Sequence, residues 1–224
     1  MIDRAEPLTT ETLASAVGEL AAVDNDLAAI VDRYGLPPLW ARPEGFATLT
    51  FIILEQQVSL ASARAAFERL LAATNELTPE RFLRLDDGEL LAIGFSRQKT
   101  RYVRGLAGAA IAGDLDLDGL GALDDDEARD ALVGLTGIGP WTADIYLLLA
   151  LGRPDVWPAT DLALVSAVQE IKRLASRPST SELVALAEPW RPWRSVAARL
   201  FWHDYLSRRD QRDAGPELLG ADGR

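Results

Sequence analysis

The residues with the clearest chemistry are the stretch Leu135-Thr136-Gly137-Ile138-Gly139-Pro140-Trp141-Thr142-Ala143. A short helix ending at Gly134, two glycines bracketing an isoleucine, and a proline at the first position of a new helix describe a helix–hairpin–helix turn. Glycines let the backbone approach an anion closely, and the next helix start offers unpaired N–H groups and the positive end of its dipole. Such a turn holds a phosphate without any lysine. The same residues equally describe a plain tight turn between two helices. Further along, Asp161 or Thr160 reads on residue type alone as the N-cap of a helix.

Composition narrows what else the chain can do. Its 224 residues are 48% hydrophobic, enough for a sizeable core in one domain or two lobes, which excludes a disordered or fibrous chain. Without cysteine there are no disulfides, thiolate nucleophiles, or cysteine-held zinc or iron–sulfur sites. His203 is the only histidine, so a Ser-His-Asp triad would have to use it and a histidine-rich metal site cannot be built. Carboxylates remain as the groups for enzymatic work. The longest uncharged run, Ala131 to Ala143, is thirteen residues broken by glycines and Pro140, against about 20 for a membrane span. The start, Met1-Ile2-Asp3-Arg4-Ala5-Glu6-Pro7, has neither a basic nor an apolar signal region, so a cytoplasmic protein is expected, nucleoid-associated if bacterial. A net charge of −11 opposes gripping a polyanion by bulk electrostatics. Its distribution is uneven, with acids at Asp114-Asp116-Asp118 and Asp124-Asp125-Asp126 and bases at Arg97, Lys99, Arg101, Arg104 and from Arg191 to Arg212.

The elements that must position these residues read as helices. Ser59 precedes an apolar-periodic run, Thr78-Pro79-Glu80 places a cap, a proline and an early acid, and Asp86/Glu89, Asp124/Glu127 and Ser179/Glu182 have capping-box spacing. Gly94, Gly113 and Gly152 sit where helices should stop. Helices are expected near 11–22, 25–34, 45–57, 60–73, 79–85, 87–93, 97–112, 125–133, 140–151, 161–175, 180–188 and 192–208. The run Phe46 to Leu54 is apolar on nearly every face and should be a central, buried helix.

In this order the segments resemble the helix–hairpin–helix DNA glycosylase superfamily, and within it the 3-methyladenine-DNA glycosylase II branch. The resemblance is carried by the hairpin, by Gly152-Arg153-Pro154-Asp155-Val156-Trp157-Pro158-Ala159-Thr160-Asp161-Leu162-Ala163-Leu164, by Leu54-Glu55-Gln56-Gln57-Val58-Ser59, by Gly94-Phe95-Ser96-Arg97-Gln98-Lys99, and by Trp190-Arg191-Pro192-Trp193-Arg194-Ser195 ending in Phe201-Trp202. It covers roughly residues 40 to 208. It implies an all-α fold of two helical lobes with an interlobe active-site cleft. One lobe, 42–150, would end in the hairpin; the other would combine 1–41 with 151–210, and 211–224 would be a disordered tail.

The resemblance also implies roles. Asp161 takes the place of the essential aspartate, facing the sugar C1′ where cleavage of the N-glycosidic bond leaves positive charge, and orienting or deprotonating the attacking water. Trp141 and Trp202 line the base pocket, with a lesser claim for Tyr146; an indole face stabilises a cationic alkylated purine by roughly 0.5–2 kcal/mol. Trp202 also reads as a core aromatic on an amphipathic helix. The wedge that fills the hole left by a flipped base comes from Gln57, Val58 or Leu60, of which Gln57 aligns best. Phosphate contacts fall to Gly137, Ile138, Gly139 and Thr142, and to Arg97, Lys99, Arg101 and Arg194, each of which also reads as a solvated surface charge. Glu55 and Asp144 are further candidate pocket carboxylates, and His203 reads as structural. The carbonyls of Leu135 and Gly137 are candidates to hold a monovalent cation; no organic cofactor is required.

Departures from the relatives matter equally. Bifunctional members carry a lysine where this chain has Trp141, so strand cleavage is expected to be absent. The four-cysteine cluster of several relatives cannot form, and about forty residues precede the resemblance, too few for the β-rich domain of the larger alkylation-repair members. The expected activity is hydrolytic release of an alkylated purine from double-stranded DNA by a monomer. The alternatives are a non-catalytic helix–hairpin–helix module that binds damaged DNA, and a glycosylase for uracil or mismatched bases.

Overall fold

The computed structural model describes residues 6–213, with side chains as far as Arg209. It is all-helical among the described residues: α1 (Thr10–Val23), α2 (Asn25–Tyr34), α3 (Phe46–Glu55), α4 (Leu60–Thr74), α5 (Pro79–Arg84), α6 (Asp87–Ile93), α7 (Arg97–Ala112), α8 (Asp125–Val133), α9 (Pro140–Leu149), α10 (Leu162–Ile171), α11 (Thr180–Ala187) and α12 (Arg194–Asp213), with 3-10 turns at Leu120–Ala122 and Glu188–Trp190. None of these helices is long and apolar enough to cross a membrane.

Local chemistry sets most boundaries. The three expected capping boxes form at Asp86/Glu89, Asp124/Glu127 and Ser179/Glu182, and Thr9/Thr12 adds a fourth. Gly94 and Gly113 end α6 and α7 in the left-handed conformation. Two helices are shorter than their sequence suggests. α3 stops at Glu55 because Gln56 turns to extended backbone and Gln57 follows at φ 58°. α10 stops at Ile171 because the Lys172 ammonium is drawn onto Asp24 and Arg173 adopts φ 52°. α12 continues to Asp213, so residues 211–213 are helical rather than part of a tail; the remainder, 214–224, lies outside the described residues.

The chain divides into two compact units, one built on Ala41–Arg153, the other on Leu8–Trp40 and the chain from Pro154 onward. In the first, α3 packs against α4, α7 and α9. Its Leu49, Ile52 and Ile53 are fully buried, and each such side chain contributes about 1.5–3 kcal/mol. Phe82 joins Phe46 and Phe95 in a cluster with ring centroids 6.1 and 5.6 Å apart. The first unit also encloses the Arg153 guanidinium, which donates to the carbonyls of Gly121 and Leu123 at 3.1 and 2.6 Å.

In the second unit α12 packs on α1, α2 and α10. Trp157, Trp190 and Phe201 form its aromatic centre, with centroids 5.3–6.3 Å apart. Asp24 caps α2 and accepts from Lys172 Nζ and Trp190 Nε1 at 2.7 and 2.8 Å. Burial raises its pKa, but these two hydrogen bonds, the Lys172 charge and the Leu27 N–H together outweigh burial and hold the carboxyl below the usual range. The buried Arg199 donates to the carbonyls of Leu39 and Ser195 at 3.0 and 3.1 Å, and burial pushes its pKa down to about 10. His203 sits beside the rings of Tyr34 and Trp40, a packing role.

Tyr146 on α9 corrects one site assignment. It is fully buried within the first unit, and its Oη accepts the N–H of Gly45 at 2.7 Å, so it holds the start of α3 rather than lining a pocket. Burial pushes its phenol up to about 12. A folded pKa above the unfolded value of about 10 gives stability that is complete below pH 10 and lost as pH rises through 12. Tyr146→Phe is therefore expected to destabilise the protein by about 1–3 kcal/mol at pH 7, because the half-buried Gly45 N–H loses its acceptor. Denaturant titrations at successive pH values should show that deficit shrinking between pH 10 and 12.

Candidate active site

Asp161 is the N-cap of α10: its backbone is extended, and its Oδ1 accepts the N–H of Leu164 at 2.7 Å. The same oxygen accepts Trp202 Nε1–H from α12 at 3.0 Å. An indole N–H and a backbone N–H can only donate, so two fixed donors on different helices set where this half-buried carboxylate sits. Trp202 is half-buried beside it, so its role as a pure core aromatic does not hold.

The segment leading to Asp161 is anchored just as firmly. Ser195 accepts the N–H of Val156 and donates to its carbonyl, both at 2.9 Å, and donates its own N–H to the carbonyl of Pro154. Arg194 was expected to contact phosphate. Instead its Nε and Nη2 both meet the Asp155 carboxylate at 2.9 Å, where Arg191 adds a third contact at 2.7 Å. A forked guanidinium and a carboxylate form two parallel bonds, so this pair fastens the start of α12 to the segment before Asp161. No spacing rule links Asp155 to Arg194.

The first unit carries the hairpin. Between α8 and α9, Ile138 donates its N–H to Leu135 at 3.1 Å, Gly137 stands at φ 99°, and Pro140 opens α9 with Gly139 as N-cap. A Cβ on Gly137 would fall on the Tyr102 ring of α7, so glycine is required twice, by conformation and by contact. A Cβ on Gly139 meets nothing within 4 Å. Among the expected phosphate residues, Gly139 is exposed at the turn, whereas Ile138 is buried with its N–H already used. Thr142 is also buried, its hydroxyl accepts Gln56 Nε2 at 2.9 Å, and its backbone N–H lies in the first turn of α9. Trp141 is half-buried in the first turn of α9.

The wedge candidates Gln57 and Val58, on the turn between α3 and α4, and Leu60, the first residue of α4, are exposed. Among the basic candidates, Arg97 and Arg101 are exposed on α7, and the Arg101 guanidinium lies 6.0 Å from the Tyr102 ring that packs on Gly137. Lys99 does not reach outward: its Nζ donates to the carbonyl of Leu54 at 2.7 Å, and burial lowers its pKa. Glu55 is held by Arg42 in two bonds of 2.7 and 2.8 Å, and Asp144 accepts Arg129 Nε at 2.8 Å, so neither is an available pocket carboxylate. The carbonyls of Leu135 and Gly137, the candidate pair for a monovalent cation, accept the Ile138 N–H and Gln56 Nε2 respectively, and each keeps a second lone pair. Gln56 itself was not anticipated as a site residue; its only signal was its place between the buried helix and Gln57.

A profile of the family described as HhH-GPD superfamily base excision DNA repair protein matches residues 51–192. YfjP of Bacillus subtilis, named for DNA-3-methyladenine glycosylase, is 28% identical over 184 residues, which span 79% of this chain and 64% of YfjP; the chain thus covers under two thirds of that relative. DNA-3-methyladenine glycosylase 1 of Schizosaccharomyces pombe is 28% identical over 208 residues, 90% of this chain and 91% of that one. The solved structure of the S. pombe 3-methyladenine DNA glycosylase Mag1 in complex with abasic DNA superposes with a TM-score of 0.79, covering 84% of this chain and 95% of that one at 28% identity.

The two hairpin glycines should separate by experiment. Gly137→Ala is expected to cost about 2 kcal/mol or more in unfolding free energy, since both the positive φ and the Tyr102 ring oppose a side chain. Gly139→Ala should unfold like the wild type. A duplex-binding titration with Gly139→Ala then reports close approach of a ligand to the turn, separately from folding.

Proposed function

We propose that this chain, which belongs to the HhH-GPD superfamily of base excision DNA repair proteins, is a monofunctional DNA glycosylase that hydrolyses the N-glycosidic bond of alkylated purines of the 3-methyladenine type. The observation that carries the reading is the Asp161 carboxylate held by the Leu164 N–H and Trp202 Nε1. As the bond to the base breaks, positive charge grows on the sugar, and a carboxylate fixed in advance stabilises that charge without reorganising. The same group orients the attacking water and takes its proton. The products are the free base and an abasic site.

Trp202 and Trp141 supply indole faces, which favour a base made cationic by alkylation over its neutral parent. The exposed turn at Gln57, Val58 and Leu60 fills the gap left in the stack, and the hairpin at Gly137, Gly139 and the N–H of Thr142 holds the phosphate backbone with Arg97 and Arg101. The partner is double-stranded DNA carrying alkylated bases, bound by a monomer in the cytoplasm or nucleoid. The names of the relatives, which include DNA-3-methyladenine glycosylases from a bacterium and a yeast, support this substrate class.

Asp161→Asn tests the role directly, because asparagine caps a helix about as well as aspartate and removes only the charge. Release of free purine from a methylated duplex is expected to fall by about 10²-fold or more with duplex affinity nearly unchanged. Equal rates for mutant and wild type would remove Asp161 from the chemistry. A wild type that binds the duplex and releases no base would be a binding module.

Trp141 offers no amine for a Schiff base. Borohydride added to the protein with an abasic duplex is therefore expected to trap no covalent adduct and to leave the strand uncut. A trapped band would contradict monofunctional chemistry.

A further inference from the structure

The exit from α3 is tied down at three consecutive residues by three separate parts of the first unit. Lys99 of α7 donates to the carbonyl of Leu54 at 2.7 Å. Arg42 grips Glu55 with two bonds. Gln56 Nε2 donates to the carbonyl of Gly137 at 3.0 Å and to the hydroxyl of Thr142 at 2.9 Å, reaching 81 and 86 residues along the chain. Immediately after these ties Gln57 is held at φ 58°, a left-handed conformation that a residue with a long side chain keeps only when its surroundings impose it. Gln57 and Val58 are exposed beyond it.

We infer that Gln56 is a positioning residue that couples the hairpin to the wedge turn, so that gripping the backbone and filling the stack are one rigid action. This rests on the reading of those two turns given above. The single amide Nε2 bridges both sides of the hairpin, the left-handed Gly137 before α9 and the first turn of α9 itself, while the backbone of the same residue sets the direction of Gln57. Its two acceptors have fixed places: Gly137 is pinned by the Tyr102 ring, and Thr142 is buried within α9. Beside the packing of α3 on α9, which fixes no direction, this side chain is the polar link through which a shift of the hairpin on its ligand reaches Gln57.

The test is Gln56→Met, which keeps the length of the side chain and removes both donor bonds. The probe is a duplex with a tetrahydrofuran abasic analogue opposite 2-aminopurine, whose fluorescence reads insertion beside it. Affinity is followed by anisotropy on the same duplex, and base release on a methylated one. The expected result is affinity within about threefold of wild type, a 2-aminopurine response reduced at least fivefold, and base release reduced at least tenfold. A wild-type fluorescence response overturns the coupling. So does a parallel loss of affinity and fluorescence, which would mean that Gln56 only supports the hairpin. If Gln56→Met does not fold, Thr142→Val, which deletes one of the two acceptors, must give a reduced response, and a full response overturns the inference. A failure of the glycosylase reading looks different: wild type then releases no base, while the fluorescence still reports on the turn.

Discussion

One oxygen atom organises the second unit. Oδ1 of Asp161 accepts the N–H that begins α10 and the indole N–H of α12, so two helices meet on a single acceptor. Residue type alone reads Asp161 as a cap, and only the family resemblance makes it catalytic. The geometry makes the two roles compatible. A carboxylate aimed at a transition state must not relax, and the hydrogen bond that caps a helix supplies that immobility. The Ser195 bridge and the Arg194–Asp155 pair extend it to the backbone before the cap. Trp202 thereby acquires a polar duty beside any stacking it performs.

The charge balance becomes intelligible in the same terms. A chain of net charge −11 has little to gain from long-range attraction to a polyanion. Several arginines serve internal order: Arg42 holds Glu55, Arg129 holds Asp144, Arg153 holds two carbonyls, and Arg194 holds Asp155. Backbone N–H groups, by contrast, are donors whatever the net charge. The tight hairpin and the proline at the first position of α9 leave those groups at the turn.

What the sequence disclosed, and what it did not, follows from range. Capping boxes such as Asp86/Glu89 are satisfied within three residues, and both the buried helix at Phe46 and the hairpin at Gly137 are local patterns of residue type. These were legible. Arg194, Lys99, Glu55 and Tyr146 were read as outward or pocket-facing because their partners, Asp155, Leu54, Arg42 and Gly45, lie 13 to 101 residues away. A charged side chain is equally suited to solvent and to a buried partner, so its type cannot decide. The tie from Trp202 to Asp161 was hidden for the same reason; only family resemblance had placed the two in one site.

The exit of α3 shows why such ties are polar. Apolar packing tolerates rearrangement of shape as long as volume is conserved, whereas a hydrogen bond or a forked ion pair fixes direction as well as distance. Leu49, Ile52 and Ile53 stabilise α3 within its unit. They cannot choose the angle at which the chain leaves it. Leu54, Glu55 and Gln56 do so with a carbonyl, a carboxylate and an amide, each engaged by a different partner. Losing any one still leaves two directional restraints on the turn, but only Gln56 touches the hairpin, which makes it the one restraint whose loss would uncouple the turn from the hairpin and leave the helix in place.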